Sequence, residues 1–383
     1  MKQISKESNI LSNTIDVLRF PLAIAVIFIH MNPNVVNLID ADFSLFSNKG
    51  LFNLLGITLS HVLTHIAVPC FFFISGLLFF INIKKWNWTQ YRSKLKSRVT
   101  TLLIPYIAWN ITPWVLMLVA HYIKGNFIDH SLDKLIEFIY KYNFNILYNC
   151  YHWGETRINW LEDNLLMTGP YDLPLWFLRD LIFMVILTPI IYFFIKKFNL
   201  WYITILFVAY ISRVWTLIPG LHITACFFFS LGAFFSIKDI NVLSTIKKYR
   251  YVIIPLSIIT LLITILYDGV NTEIGQNVFP FFIIATVFAI FYITSKIVEK
   301  YHIKANKFLV SSCFFIYAFH RVAIPGIGSP LGVVNKILGY ILPEMSIIKY
   351  LAAPFLTVII CILVMQMGKK IIPNITKWYT GNR

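Results

Sequence analysis

Ten mostly apolar stretches, each near the length needed to cross a bilayer, run through this chain and leave little room for any fold but a helical one embedded in lipid. A spanning helix needs about 20 predominantly apolar residues. The stretches lie at roughly 15–36, 57–81, 99–123, 173–195, 199–217, 221–237, 251–267, 277–295, 309–326 and 347–367, with Arg213 interrupting the short fifth one. Of 383 residues, 58% are hydrophobic and 13% charged. A soluble protein carries about 25% charged residues to cover its surface, so a water-soluble enzyme is excluded. Disorder is excluded too, because so apolar a chain cannot stay solvated. The expected fold is an all-α integral membrane protein with about ten transmembrane helices.

Charge supplies the orientation. The net charge of +16 would suggest nucleic acid in a soluble protein. Here the positive-inside rule explains it, and no nucleic-acid partner is expected. With the N-terminus inside, the segments on the cytoplasmic side hold 22 of the 33 Lys and Arg, the short outer loops three, the long outer loop 124–172 four, and the spans four. Both termini should therefore be cytoplasmic. The division is a cytoplasmic segment 1–14, a membrane domain 15–367 and a cytoplasmic tail 368–383, in the inner or plasma membrane. The polar start leads into the first span without a small-residue cleavage site, so that span is expected to stay. The five cysteines show no paired spacing, and neither a disulfide framework nor a zinc site is indicated. Among the polar residues of loop 124–172 stand Tyr140, Tyr142, Tyr148, Tyr151, Trp153 and Trp160. Two readings stand open for it: aromatic platforms for sugar rings, or a lid lying at the membrane interface, where Trp and Tyr collect.

An ionisable group inside a span is costly and is a functional hypothesis by default. The first span carries Asp16, Arg19 and His30. Eleven residues make about three turns, which leaves Arg19 and His30 about 20° apart on one face and roughly 16 Å apart along the axis. Arg19 can snorkel to the interface with Asp16 as partner. His30 has no such outlet, and a neutral imidazole suits proton transfer from a hydroxyl.

The second span offers His61 and His65 one turn apart, but a zinc helix of the H-E-x-x-H type needs Glu where Val62 stands. No metal is expected. Ser75-Gly76 reads as close helix packing, since Phe73 occupies the glycine position of a nucleophile elbow. In the fourth span Arg179 and Asp180 are adjacent. Their side chains leave the helix about 100° apart, so they need not pair with each other, and ion pairing to a neighbouring helix is the structural alternative. Together His30, His61, His65, Arg179, Asp180, Arg213, His222, His320 and Arg321 should share one depth and line a polar cavity opening outward, with Arg19 below them.

Four motifs carry a resemblance: Arg19-x10-His30 with Asp16 before it, Phe72-Phe-Ile-Ser-Gly76, Leu175-Trp176-Phe-Leu-Arg179 and Tyr317-x-x-His320. In this order, over about 11–367, the chain resembles the acyltransferase-3 family of integral membrane acyltransferases. The resemblance implies transfer of an acyl group, usually acetyl from cytoplasmic acetyl-CoA, to a hydroxyl of a cell-surface or exported glycan. By position His30 would be the catalytic histidine and Arg19 its essential partner. Some members carry a further extracytoplasmic hydrolase-like domain; none is expected here, so the acceptor would meet the membrane domain itself.

The mechanism expected on this resemblance has three parts. Basic residues of 84–98, Arg92 and Arg98 among them, attract the phosphates of CoA. Arg19 holds the pantetheine or phosphate end or orients the thioester. His30 acts as general base, with Arg179 or His320 stabilising the oxyanion or orienting His30. Asp16, Asp180, Ser75 and Trp176 are candidate supporting residues. Besides acyl-CoA and a glycan or lipid-linked sugar, membrane lipids are the only partners expected. Two rival readings are a polysaccharide or lipid-linked sugar exporter and a membrane sensor whose buried ions are anchors.

Overall fold

A computed structural model describes residues 2–36, 38, 47–81, 83, 85–123, 145–148, 151–155, 166–213, 218–268 and 272–382. Its helices are α1 Lys2–Met31, α2 Asn48–Gly56, α3 Ala67–Phe80, α4 Trp88–Arg98, α5 Ile104–Ile123, α6 Trp176–Ile186, α7 Thr188–Phe198 and α8 Leu200–Ser212. They continue with α9 Ile223–Ile237, α10 Val242–Leu266, α11 Glu273–Tyr301, α12 Lys307–Phe319, α13 Pro330–Ile341, α14 Ile347–Ile371 and α15 Pro373–Thr380. Among the described residues, a small antiparallel pair, Tyr151–Glu155 with Leu166–Gly169, departs from the all-helical expectation. Most of the aromatic residues of loop 124–172, including Tyr140, Tyr142 and Trp160, lie outside the described residues, as do the side chains of Tyr151 and Trp153.

Among the described residues, six helical segments are long and apolar enough to cross a membrane: Glu7–Met31, Asn48–Phe80, Trp88–Ala120, Val242–Leu266, Glu273–Tyr301 and Ile347–Ile371. A seventh is made by Leu173–Ile186 and Thr188–Phe198, bent by 62°. Pro189, in the first turn of α7, accounts for the break, because proline cannot continue the preceding helix. The remaining expected spans correspond to α8, α9 and α12, apolar helices of 13, 15 and 13 residues. At 1.5 Å per residue they reach about 20–23 Å, short of a hydrocarbon core about 30 Å thick. Helix α8 stops before Arg213, which sits at φ 57° in the left-handed region, so the charge that interrupts the fifth stretch also ends its helix.

Ser, Thr or Asn caps mark where seven of these helices begin. Ser47, Asn87, Asn241, Thr272, Asn306, Ser329 and Ser346 each accept a hydrogen bond from a backbone N–H of the following first turn, satisfying donors the helix leaves open.

The core is built from phenylalanine, with Phe72, Phe73, Phe79, Phe80, Phe227, Phe228, Phe229, Phe282 and Phe291 fully buried. Its closest joint is α3 against α9. A Cβ placed on Gly76 would stand 2.0 Å from the Phe229 carbonyl oxygen, and one on Gly232 would stand 2.0 Å from that of Phe73. The reading of Ser75-Gly76 as a packing motif is thus met at Gly76, and its counterpart is Gly232. Helix α1 lies against α3, α11, α12 and α14, so the helix carrying Asp16, Arg19 and His30 runs through the middle of the bundle.

Candidate active site

Two cavities of about 480 Å³ each flank α1 at different heights. Asp16, Arg19, Ser75, Arg98, Lys307 and Tyr317 are among the residues lining the first. The second is lined by His30, His65, Trp176, Tyr210, His222 and Arg321, with Tyr317 again on its wall. Three turns of one helix therefore deliver Arg19 to one cavity and His30 to the other.

The Arg19 cavity is cationic at its rim. Arg19 is held by Asp16 at 3.0 Å, both about one-third exposed, the partnership the sequence suggests. Arg98, at the end of α4, and Lys307, at the start of α12, add two further cations. Deeper in, the lining is apolar, with Ile74, Leu78, Leu178 and Leu181. Cations at the rim and an apolar interior suit a chain that bears phosphates at one end and a slim organic arm at the other. Arg92 is exposed on α4 and does not line this cavity.

In the second cavity Arg321 donates from Nη1 to Nδ1 of His30 at 3.0 Å. A guanidinium has no lone pair to offer, so Nδ1 is the acceptor and the neutral ring carries its hydrogen on Nε2. The His320 ring lies beside it, the two centroids 5.1 Å apart. His320 Nδ1 faces the carbonyl oxygens of Tyr317 at 2.7 Å and Ile316 at 3.2 Å, which makes Nδ1 the donor and Nε2 a bare lone pair. That Nε2 is buried and has no hydrogen-bond partner among the described residues. A neutral His30 ring with its hydrogen on Nε2 and a His320 ring with an open Nε2 are thus packed beside each other.

Several expected members of the cluster go elsewhere. His61 lies 3.1 Å from Asp268 Oδ1, and a π-helical turn over Ile57–Val62 followed by a 3₁₀ turn over Leu63–Ile66 separates its direction from that of His65. Such wide turns redirect side chains that a regular helix would stack on one face. Arg213 is exposed and donates to Gln276 Oε1 at 2.6 Å, so it does not line the cavity.

Arg179 and Asp180, which helix geometry alone leaves free not to pair, do pair, and with each other rather than with a neighbouring helix. Arg179 Nε meets Asp180 Oδ1 at 3.0 Å, both buried, because the long arginine arm folds back and burial leaves neither charge a better partner. Arg179 also donates to the Tyr148 carbonyl at 2.7 Å. Asp180 accepts from the backbone N–H of Gly220 at 3.0 Å and of His222 at 3.3 Å. The pair fastens two loops to α6 and thereby sets His222, whose ring lies 5.5 Å from that of Trp176. It lines neither cavity.

Sequence reasoning placed Arg321 among the cavity-lining residues, where it stands, but gave neither it nor Lys307 a chemical role and did not single out Asp172 or Tyr210. Asp172 is buried, and neither carboxylate oxygen has a hydrogen-bond partner among the described residues. The available signal was scarcity: the chain has only 17 Asp and Glu, and Asp172, Asp180 and Asp268 are all buried in the bundle. Among the described residues no group of three or more His, Cys, Asp or Glu is placed to hold a metal ion.

Comparison with known proteins adds the family. The chain is 25% identical over 237 residues to the succinoglycan biosynthesis protein ExoH of Rhizobium meliloti (strain 1021), an alignment covering 60% of this chain and 55% of that one. The chain thus matches only about half the length of this curated relative. No solved structure matches. The sequence profile described as "Acyltransferase domain" matches residues 12–366, nearly the whole chain, and the chain accordingly belongs to the acyltransferase-3 family of multi-pass membrane acyltransferases.

Proposed function

We propose that this chain is a membrane O-acyltransferase that moves an acyl group, acetyl in the simplest case, from cytoplasmic acyl-CoA to a hydroxyl of a cell-surface or exported glycan. The observation that carries the reading is the placement of Arg19 and His30 on one helix, each in its own cavity. The family supplies acyl transfer, and the relative's name, succinoglycan biosynthesis, supports a polysaccharide acceptor. In this reading ten helical segments traverse or enter the inner membrane and both termini are cytoplasmic, consistent with the bias of Lys and Arg. The membrane domain is 15–367, flanked by cytoplasmic 1–14 and 368–383.

The donor lies in the Arg19 cavity, its phosphates on Arg98 and Lys307 and its thioester directed along α1 by Arg19. Arg321 leaves Nδ1 of His30 and turns to the thioester carbonyl, where negative charge develops. The freed Nδ1 takes the proton of the acceptor hydroxyl as the hydroxyl oxygen attacks. His320 Nε2, unpartnered in the resting arrangement, accepts the Nε2–H of His30 once Arg321 has left, and the neighbouring rings keep His30 oriented. The C–S bond breaks, and the CoA thiolate recovers the proton as the ester forms.

The test is a deletion strain complemented with wild type or His30→Ala, scored for alkali-labile acyl groups on the envelope glycans. Restoration by wild type alone is expected, and the released acid identifies the acyl group. Equal restoration by both, or altered glycan export with unchanged ester content, would overturn the reading in favour of an exporter.

A further inference from the structure

Tyr317 is the one residue among those described that lines both cavities. It stands on α12 and reaches across to the 3₁₀ turn Leu173–Leu175, where its hydroxyl donates to the Pro174 carbonyl. Its ring meets that of Phe177 edge-on at 5.7 Å, and Phe177 in turn meets Phe72 at 4.6 Å. The side chain is thereby pinned at both its polar tip and its face, and the residue is only 6% exposed. The same residue's carbonyl accepts from His320 Nδ1. One position thus closes the floor of the His30 cavity and sets the histidine beside it.

We propose that Tyr317 is the partition between the donor and acceptor halves of the site, and that it keeps water in the His30 cavity away from the thioester until an acceptor is seated. This rests on the reading that the Arg19 cavity holds an acyl-CoA. A thioester open to the wet side would hydrolyse: a water oxygen attacks the carbonyl carbon, the C–S bond breaks, the thiolate takes the water's proton, and free acid and CoA are released. An enzyme whose acceptor arrives from the other side of the membrane must block that reaction, and exclusion of water is a recognised function of closed sites. An aromatic ring held by one hydrogen bond to a neighbouring turn can seal the passage and still rotate aside.

Two measurements on the full-length protein test this. Cys313 lines the Arg19 cavity, so a membrane-impermeant methanethiosulfonate reagent applied from the His30 side of sealed vesicles reports passage, with the modified cysteine identified by peptide mass. Cys313 should react slowly in wild type and Tyr317→Phe, which keeps the ring, and at least tenfold faster in Tyr317→Ala. Release of CoA thiol from acetyl-CoA without any acceptor should rise at least tenfold in Tyr317→Ala over both other proteins. Equal Cys313 labelling in wild type and Tyr317→Ala overturns the partition. Should Tyr317→Ala fail to fold, wild-type labelling as fast from the His30 side as from the opposite side overturns it as well. If the labelling pattern is as expected but no protein cleaves or binds acetyl-CoA, the partition stands and the donor assignment falls.

Discussion

Arg321 donates a hydrogen bond to Nδ1 of His30 at 3.0 Å, joining the turn after α12 to the last turn of α1 and fixing which imidazole nitrogen carries the hydrogen. If this guanidinium later stabilises the oxyanion, Arg321→Ala should lower kcat by about 10²–10³ with little change in KM, the loss seen when one oxyanion donor is removed. Arg321→Lys should restore only part of it, because an ammonium lacks the planar fork. Initial rates with purified protein and acyl-CoA check this.

His320 acts through His30, so its removal should not add to removal of His30. His320→Phe keeps a ring of similar shape and loses the open Nε2. It should reduce kcat about 10-fold or more, less than the roughly 10²–10⁴-fold loss of the proton-transferring group itself, because His320 only positions that group. His30→Ala and the double variant should be equally inactive, since residues that act as a unit are not additive. A rate for the double variant well below that of His30→Ala would separate the two histidines.

Arg98 and Lys307 should affect donor binding rather than chemistry. Arg98→Gln removes a charge-assisted contact of about 1.5–3 kcal/mol, which raises KM for acyl-CoA about 10-fold or more and leaves kcat nearly unchanged. Lys307→Gln should act in the same direction, and added salt should weaken donor binding in wild type more than in either variant.

Asp180→Asn should harm stability more than catalysis. It leaves Arg179 buried without its charge partner, a change that costs about 3–5 kcal/mol. The expected result is a sharply lower melting temperature in detergent. Activity per folded molecule should fall less than in Arg321→Ala, because neither member of the pair lines a cavity.

Gly232→Ala tests the helix joint. The added Cβ would meet the Phe73 carbonyl oxygen at 2.0 Å, so α3 and α9 must separate, and overpacking of this kind costs about 1–3 kcal/mol. Gly332→Ala is the control, since a Cβ there meets only the Ser329 hydroxyl at 3.1 Å. Thermal aggregation of the two variants should differ, with Gly232→Ala the less stable.

What the sequence determined by itself is whatever depends on neighbours along the chain. Apolar length places the helices in lipid, the helical period puts Arg19 and His30 on one stripe of α1, and the order of four motifs identifies the family. Arg19 with Asp16 was legible for the same reason, being one turn apart. Tertiary structure decided which distant segments meet. It brings Arg321 to His30, turns His61 away to Asp268 through a π-helical turn, leaves Arg213 on the surface with Gln276, and stands Tyr317 between two cavities. Even the Arg179–Asp180 pair follows from burial rather than helix geometry, because a long side chain in a medium without water closes on the nearest opposite charge. Helical periodicity specifies a direction around one axis, while contact between helices depends on how their surfaces pack, and at α3 and α9 that is set by two glycines 156 residues apart in the sequence.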